Sequence, residues 1–262
     1  MKQYKNFFTI SIVILSILVI TSCKKNNNPP NPSTNSALIA TIVQYSPSGS
    51  STTDSTRTTI EYNGDNTINY YDIVTVGGTS HIMFSYQSGL IIKTQTEIGT
   101  PIFIRDSIIV NPVGLPIAKY TQSHLDSNYD LYLVTLYSYN SLNQLQQTVY
   151  SNFPIDSTTR PDTTVLSWNN GDLTNYGTPD DPNYFTNTYN NGIESQPGDY
   201  AFVANLLESG SVERPNDHLL VSFSDSTSQP DTYTYTFDGT NKIVKSLVIS
   251  NGDSTISSFT YK

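Results

Sequence analysis

The stretch TYTYTFDGTNKIV, Thr232 to Val244, decides the fold. Its first half alternates with a period of two. In an extended strand, Tyr233, Tyr235 and Phe237 therefore point to one face and the threonines to the other. Asp238-Gly239 and Asn241 follow, residue types that tolerate positive φ and so favour a tight hairpin turn. The aliphatic Ile243 then restarts an alternating run. The whole reads as strand, turn, strand. The simplest use of the aromatic face is to pack inward. The alternative is a binding platform, for which Tyr86, Tyr139, Trp168, Tyr233 and Tyr235 are the candidate ligand-facing residues.

The same plan recurs along the chain. FSYQSGLIIK at 84–93, YSYNSLNQLQ at 137–146 and LSWNNGDLTN at 166–175 are clear copies. IEYNGDNTIN at 60–69, IIVNPVGLPI at 108–117 and NTYNNGIES at 187–195 are weaker ones. The anchors Tyr62, Tyr86, Val110, Tyr139, Trp168, Tyr189 and Phe237 are separated by 24, 24, 29, 29, 21 and 48 residues. A period near 24 is one hairpin plus its link to the next. Consecutive hairpins form an antiparallel meander, here of roughly 12–16 strands. A twisted sheet of that size curls into a half-barrel, closes into a barrel or splits into two layers. The expected class is all-β.

Composition agrees. Of 262 residues, 36% are hydrophobic and only 13% charged, with 19 Tyr and 10 Phe. Aromatic and β-branched residues favour strands, and Ser, Asn, Asp and Gly favour turns. One segment departs from the pattern. In GDYAFVANLLESG at 198–210, Asp199 is placed to cap a helix and Gly210 to end it. Phe202 with Leu206, and Val203 with Leu207, share faces at a spacing of four. A short helix over 199–209 would plug one end of the sheet or cover its concave side.

The N-terminus reads as an address. Lys2 and Lys5 precede a 14-residue apolar run from Phe7 to Ile20. That run is short for a membrane helix, which needs ~20 residues, and suits a secretory signal. ITSC, ending at Cys23, resembles the lipobox of bacterial lipoproteins. That resemblance implies lipid on the Cys23 sulfur and removal of residues 1–22. Cys23 is the only cysteine, so no disulfide competes for it. KKNNNPPNPSTNS, residues 24–36, has no apolar residue and reads as a tether that reaches ~40 Å when extended. The folded body, 37–262, starts near Ala37. Loss of residues 1–22 removes two lysines and no acid, taking the formal net charge from −9 to −11. Such a body is repelled by nucleic acid.

Sequence motifs for chemistry are sparse. His81, His124 and His218 are far apart and form no zinc-binding spacing. There is no G-x-S-x-G elbow and no phosphate-binding loop. Asp180, Asp181, Glu194, Asp199, Glu208 and Glu213 are available acids, but a glycosidase needs two of them facing each other. YGTPDDPNYF at 176–185 offers oxygen atoms without calcium-loop spacing. No cofactor is implied. Asp-Ser and Asp-Thr triplets recur and resemble the O-glycan acceptor of exported Bacteroidota proteins. The acceptors implied are Ser55, Ser107, Ser157, Thr163, Ser226 and Ser254.

Lipobox, Asn/Pro tether and Tyr-rich hairpins together resemble an uncharacterised family of Bacteroidota lipoproteins whose hairpins are similar to Tyr-Asp (YD) repeats. DYAFVANLLESGSVERPNDHLLVSFSDSTSQPDTYTYTFDGTNKIVKSLVIS, from Asp199 to Ser250, resembles that family's order of helix, loop, strand and hairpin. The likeness covers residues 1–36 and 199–262. It implies an outer-membrane lipid anchor and supplies no activity. Surface-exported relatives carry acids after the cysteine. Lys24, Lys25 and Asn26 to Asn28 stand there instead, which implies the periplasmic side. The function expected is a non-enzymatic binding or structural module whose partner is a glycan, a lipid or an envelope protein. A hydrolase acting on envelope or imported polysaccharide is the alternative.

Overall fold

The computed structural model describes residues 38–47, 55–101, 103–126, 129–152, 161–209 and 216–262. Sixteen strands form one closed antiparallel barrel in simple up-and-down order. The first four are β1 (Ile39–Tyr45), β2 (Ser55–Tyr62), β3 (Ile68–Thr75) and β4 (Gly78–Gln87). Next come β5 (Leu90–Glu97), β6 (Phe103–Val110), β7 (Pro116–Asp126) and β8 (Tyr129–Tyr139). They are followed by β9 (Leu145–Asn152), β10 (Asp162–Asn169), β11 (Asp172–Thr178) and β12 (Asp181–Glu194). The last four are β13 (His218–Asp225), β14 (Asp231–Phe237), β15 (Ile243–Ser250) and β16 (Asp253–Tyr261). A single described helix, α1 (Tyr200–Ser209), lies between β12 and β13. β1 closes the circle by pairing with β16, Ile42 opposite Phe259.

Closure resolves the three outcomes left open by the repeat. No described sheet edge is bare, because the first and last strands meet. The repeat itself has a backbone cause. Four hairpin turns share one form: residues 63–67, 111–115, 140–144 and 238–242 each close with a hydrogen bond from the first residue's N–H to the fifth residue's carbonyl. The fourth residue has positive φ in each: Asn66, Gly114, Asn143 and Asn241. In three of them the first residue's side chain caps the turn; Asn140 Oδ1, for example, accepts from the N–H groups of Leu142 and Gln144. The ladder shifts register beside each of these turns, as a three- to five-residue loop ending in a left-handed residue requires. Asn170-Gly171 and Asn251-Gly252 are two-residue turns with positive φ at both positions, the type I′ geometry that matches strand twist.

The turns at 63–67, 111–115, 140–144, 170–171 and 238–242, together with Ile39 and Tyr261 at the chain's two terminal strands, form one rim of the barrel. The other rim carries the turns at 76–77, 179–180, 226–230 and 251–252. Facing follows strict alternation. Along β14, Tyr233 and Tyr235 lie inside while Thr232, Thr234 and Thr236 lie outside, as the opening stretch predicts. Inward positions elsewhere are Ile42, Ile60, Tyr71, Ile82, Phe84, Leu145, Leu166, Tyr176, Ile243 and Phe259, all buried.

Candidate functional site: an occupied lumen

A sixteen-stranded barrel encloses a lumen wide enough for water unless something fills it. Here α1 and the inward side chains fill the end where α1 enters. The helix sequence YAFVANLLES is apolar nearly all round, the pattern of a helix buried on every side. Phe202 and Leu206 pack into a cluster built on β1–β4, β13, β15 and β16. Ala204 and Tyr200 pack into a second cluster with Tyr137, Leu145, Leu166, Leu173 and Tyr176. The expectation of a helix plugging one end is met, and both faces of the helix are in use.

Each end of α1 is fastened by charge. At its N-terminus the fully buried Asp199 is the cap: its Oδ1 accepts from the N–H of Ala201 and from the Tyr235 hydroxyl, and its Oδ2 accepts from Ser195 Oγ at 2.6 Å. The helix dipole favours a carboxylate there. Burial nonetheless pushes the Asp199 carboxyl up to about 6, with those hydrogen bonds offsetting part of the effect.

At the C-terminus Glu208 receives Lys93 Nζ on Oε2 and Lys119 Nζ on Oε1, both at 2.9 Å. The Tyr71 hydroxyl donates to the Leu207 carbonyl at 2.7 Å, satisfying a terminal acceptor of the helix. Desolvation alone would raise Glu208, but the two ammonium groups outweigh it and hold the carboxyl far below the ordinary range. Desolvation likewise pulls Lys93 and Lys119 down, and their acidic and phenolic neighbours, Glu208 foremost, more than reverse it. Asp106, cross-strand from Lys93 and bonded by Thr121 Oγ1 at 2.5 Å, balances the charge. Two lysines, one glutamate and one aspartate thus sum to zero.

The Asp199 shift has a testable sign. A carboxyl raised in the folded state favours folding below its unfolded value near 4, and that contribution is lost as pH rises through about 6. Asp199→Asn keeps a good cap, and the Ser195 hydroxyl can turn to accept from the new amide. Urea unfolding between pH 4 and 7 should show this variant losing the wild-type decline over pH 4–6. At pH 7 it should be more stable by on the order of 2 kcal/mol. An unchanged slope would count against burial of this carboxyl as the cause.

The five candidate aromatics all face this interior. Tyr233 stacks on Tyr200 of α1 with ring centroids 5.0 Å apart. Tyr86 packs on the first cluster and Tyr139 and Trp168 on the second. A recurring tie uses the polar atoms of Trp168, Tyr235 and three further tyrosines. Trp168 Nε1 donates to the Leu145 carbonyl, Tyr235 to that of Leu220, Tyr62 to that of Ile39 and Tyr189 to that of Leu173, at 2.7–2.9 Å. Tyr261 reaches the Ile243 carbonyl in the same way. In each tie an aromatic locks onto a buried aliphatic residue 15 to 23 positions earlier, and in all but Tyr189 the aromatic stands near the end of its strand. This explains why an aromatic residue and an aliphatic restart recur together.

The histidines stay apart. His81 bonds Asp72 at 2.5 Å on the outer wall, His124 stacks on Phe103, and His218 bonds Asp172 at 2.7 Å. With Asn216 Oδ1 accepting from the Leu173 N–H, the His218–Asp172 pair straps the chain returning from α1 onto the β10–β11 turn. Gly171 is required there, because a Cβ would overlap the Asp217 carboxylate. No group of three metal-ligating side chains occurs among the described residues. Asp180 and Asp181 form an exposed turn. Asp199 and Glu208 sit at opposite ends of α1, about 14 Å apart along its axis at 1.5 Å per residue. That exceeds the separation of a glycosidase pair. Glu213 and Ser157 lie outside the described residues, as do Cys23, the 1–22 segment and the 23–36 tether. Of the remaining triplet residues, Ser55, Thr163 and Ser254 point outward at the rim far from α1, Ser226 is exposed in a turn of that rim, and Ser107 lies on the outer wall.

No protein-family model matches the chain, and no curated protein does. Solved structures do. A porin-like protein from Bacteroides uniformis ATCC 8492 superposes with a TM-score of 0.60 at 15% identity, over 86% of this chain and 98% of that one. The likeness is one of fold. A porin-like protein from Bacteroides vulgatus ATCC 8482 aligns over 86% of this chain and 99% of that one, with a TM-score of 0.42 at 12% identity.

The outer wall carries polar side chains at many positions where a membrane-crossing barrel would meet lipid. Such a barrel shows lipid a continuous apolar band ~25 Å tall and keeps its polar residues inside. Here the outward positions of β1–β3 include Thr41, Arg57, Thr59, Glu61 and Asp72. Those of β12–β16 include Thr188, Ser222, Thr232, Thr234, Thr236, Lys245 and Ser258. Many strands run only seven or eight residues, short of the 9–11 a tilted membrane strand needs. Apolar residues pack round α1 inside, and the outer wall mixes these polar residues with apolar ones such as Val43, Met83, Ile109, Leu136, Leu247 and Ile249.

Proposed function

We propose that this chain is a cell-envelope lipoprotein, of the Tyr-rich hairpin family it resembles, held to the outer membrane by lipid on Cys23 with its body in the periplasm. On this reading the barrel stands in water as a non-enzymatic binding or structural module and is not a pore. Polar side chains interspersed over the outer wall, around a lumen plugged by α1, are the observation that supports it. β1 begins at the rim where α1 enters, so the described chain starts at the plugged end of the barrel.

One variant separates an anchored barrel from an inserted one. Cys23→Ala should lose palmitate labelling and shift essentially all of the protein from the membrane pellet to the detergent-free soluble fraction. A barrel that crosses the bilayer with its strands would stay in the pellet without its lipid. Retention of the variant in washed membranes would overturn the proposal, and so would label that persists.

A further inference from the structure

The outer wall is not uniform. On β6, β7 and β8 it carries a groove of about 360 Å³ lined by Arg105, Ser107, Tyr120, Gln122 and Tyr132, among others. Three adjacent strands build it by register alone. Arg105 pairs with Gln122, Gln122 with Tyr132, and Ser107 with Tyr120, all on the outward face. Gln122 Nε2 donates to the Tyr132 hydroxyl at 3.3 Å, which fixes the amide against the ring. Tyr120 and Tyr132 are 40% and 41% exposed. Two phenol rings on adjacent strands thus stand beside guanidinium, amide and hydroxyl groups.

Arg105 makes the groove selective. It is exposed and forms no ion pair among the described residues, and its cross-strand neighbours Thr94 and Gln122 carry no charge. This is notable on a chain with 22 acidic and 13 basic residues. A guanidinium matches a carboxylate with two parallel hydrogen bonds. Exposed aromatic faces offer flat apolar surface with a polar edge. The volume lies within the range of small-ligand sites, which combine such walls with a few convergent polar groups. A peptide strand has no free ladder to join, because the closed barrel leaves no edge.

We infer that this groove binds an acidic saccharide unit, with the uronate carboxylate on Arg105 and the sugar ring resting against Tyr120 and Tyr132. The inference deepens the binding-module reading above by naming a ligand class and a site. It depends on the outer wall facing water and not on the anchor.

The test is calorimetric titration of the full-length wild-type protein, extracted in mild detergent, with trigalacturonate and with its methyl ester. The ester keeps the sugar and removes the charge. The acid should bind at least ~10-fold more tightly, since a hydrogen bond to a charged group contributes 1.5–3 kcal/mol and 1.4 kcal/mol is tenfold. Arg105→Gln should abolish that preference while leaving residual binding of the ester, and Tyr132→Phe should weaken both ligands. Equal affinity of wild type for acid and ester overturns the proposal, as does absence of binding by either. A preference that survives Arg105→Gln does the same. Triglutamate binding as tightly as trigalacturonate would replace the saccharide with an acidic peptide. Because the protein is titrated after extraction, failure in this assay leaves the Cys23→Ala result standing, and loss of the anchor alone leaves the groove untouched.

Discussion

Replacing Glu208 by Ala is expected to lower the unfolding free energy by about 3–5 kcal/mol, the cost of leaving buried charge without its partner. Lys93 and Lys119 come from strands two apart in the barrel wall, and each holds one oxygen of the same carboxylate. Without Glu208, two ammonium groups remain in the lumen with only Asp106 to answer them. Both lysine side chains are at most 12% exposed, so water relieves little of that cost. Glu208→Gln should be nearly as damaging as Glu208→Ala, because it keeps the shape and removes the charge. Urea denaturation at pH 7 measures both. A loss below about 0.5 kcal/mol for either would mean that the lysines find solvent and that the helix is held by packing alone.

The packing has its own probe. Leu206 is fully buried on α1, within the cluster that contains Ile60, Tyr71 and Ile243. Leu206→Ala should cost about 2–5 kcal/mol, the transfer term plus the cavity left in a close-packed lumen. Leu136→Ala, on the outer wall at 41% exposure, should cost less than about 1 kcal/mol. The contrast in urea midpoint reports which face of the wall meets water. A barrel with lipid outside and water inside would reverse the order.

The local parts of this architecture were legible because their causes are local. Asp238-Gly239 and Asn241 announce a turn, TYTYTF announces its facing, and Asp199 announces the start of α1. Closure was not legible, because it rests on β1 meeting β16 across more than 200 residues, and no short pattern encodes that pairing. The charged latch left a trace that alternation makes readable. Lys93 shares parity with Ile91 in LIIKTQTE, so a lysine on the packed face demands a partner. The partner, Glu208, lies 115 residues away, and no sequence rule names it. The five aromatic candidates turn their rings to the lumen, and Trp168 and Tyr235 tie their polar atoms to the backbone. The outer groove escaped notice because Arg105, Gln122 and Tyr132 become neighbours only through the register of three strands.

The pairing of first strand with last also governs how the chain must assemble. Hairpins can form as they are made, each from neighbours in sequence. The final seam joins residues as far apart as Ile39 and Tyr261, and contacts that distant form slowly. Until β16 is complete, β1 and the newest strand both present bare N–H and C=O groups, the template on which sheets aggregate. The last nine residues of the sheet, Asp253–Tyr261, therefore act as its fastener. A chain that ends before them carries two sticky edges in place of none.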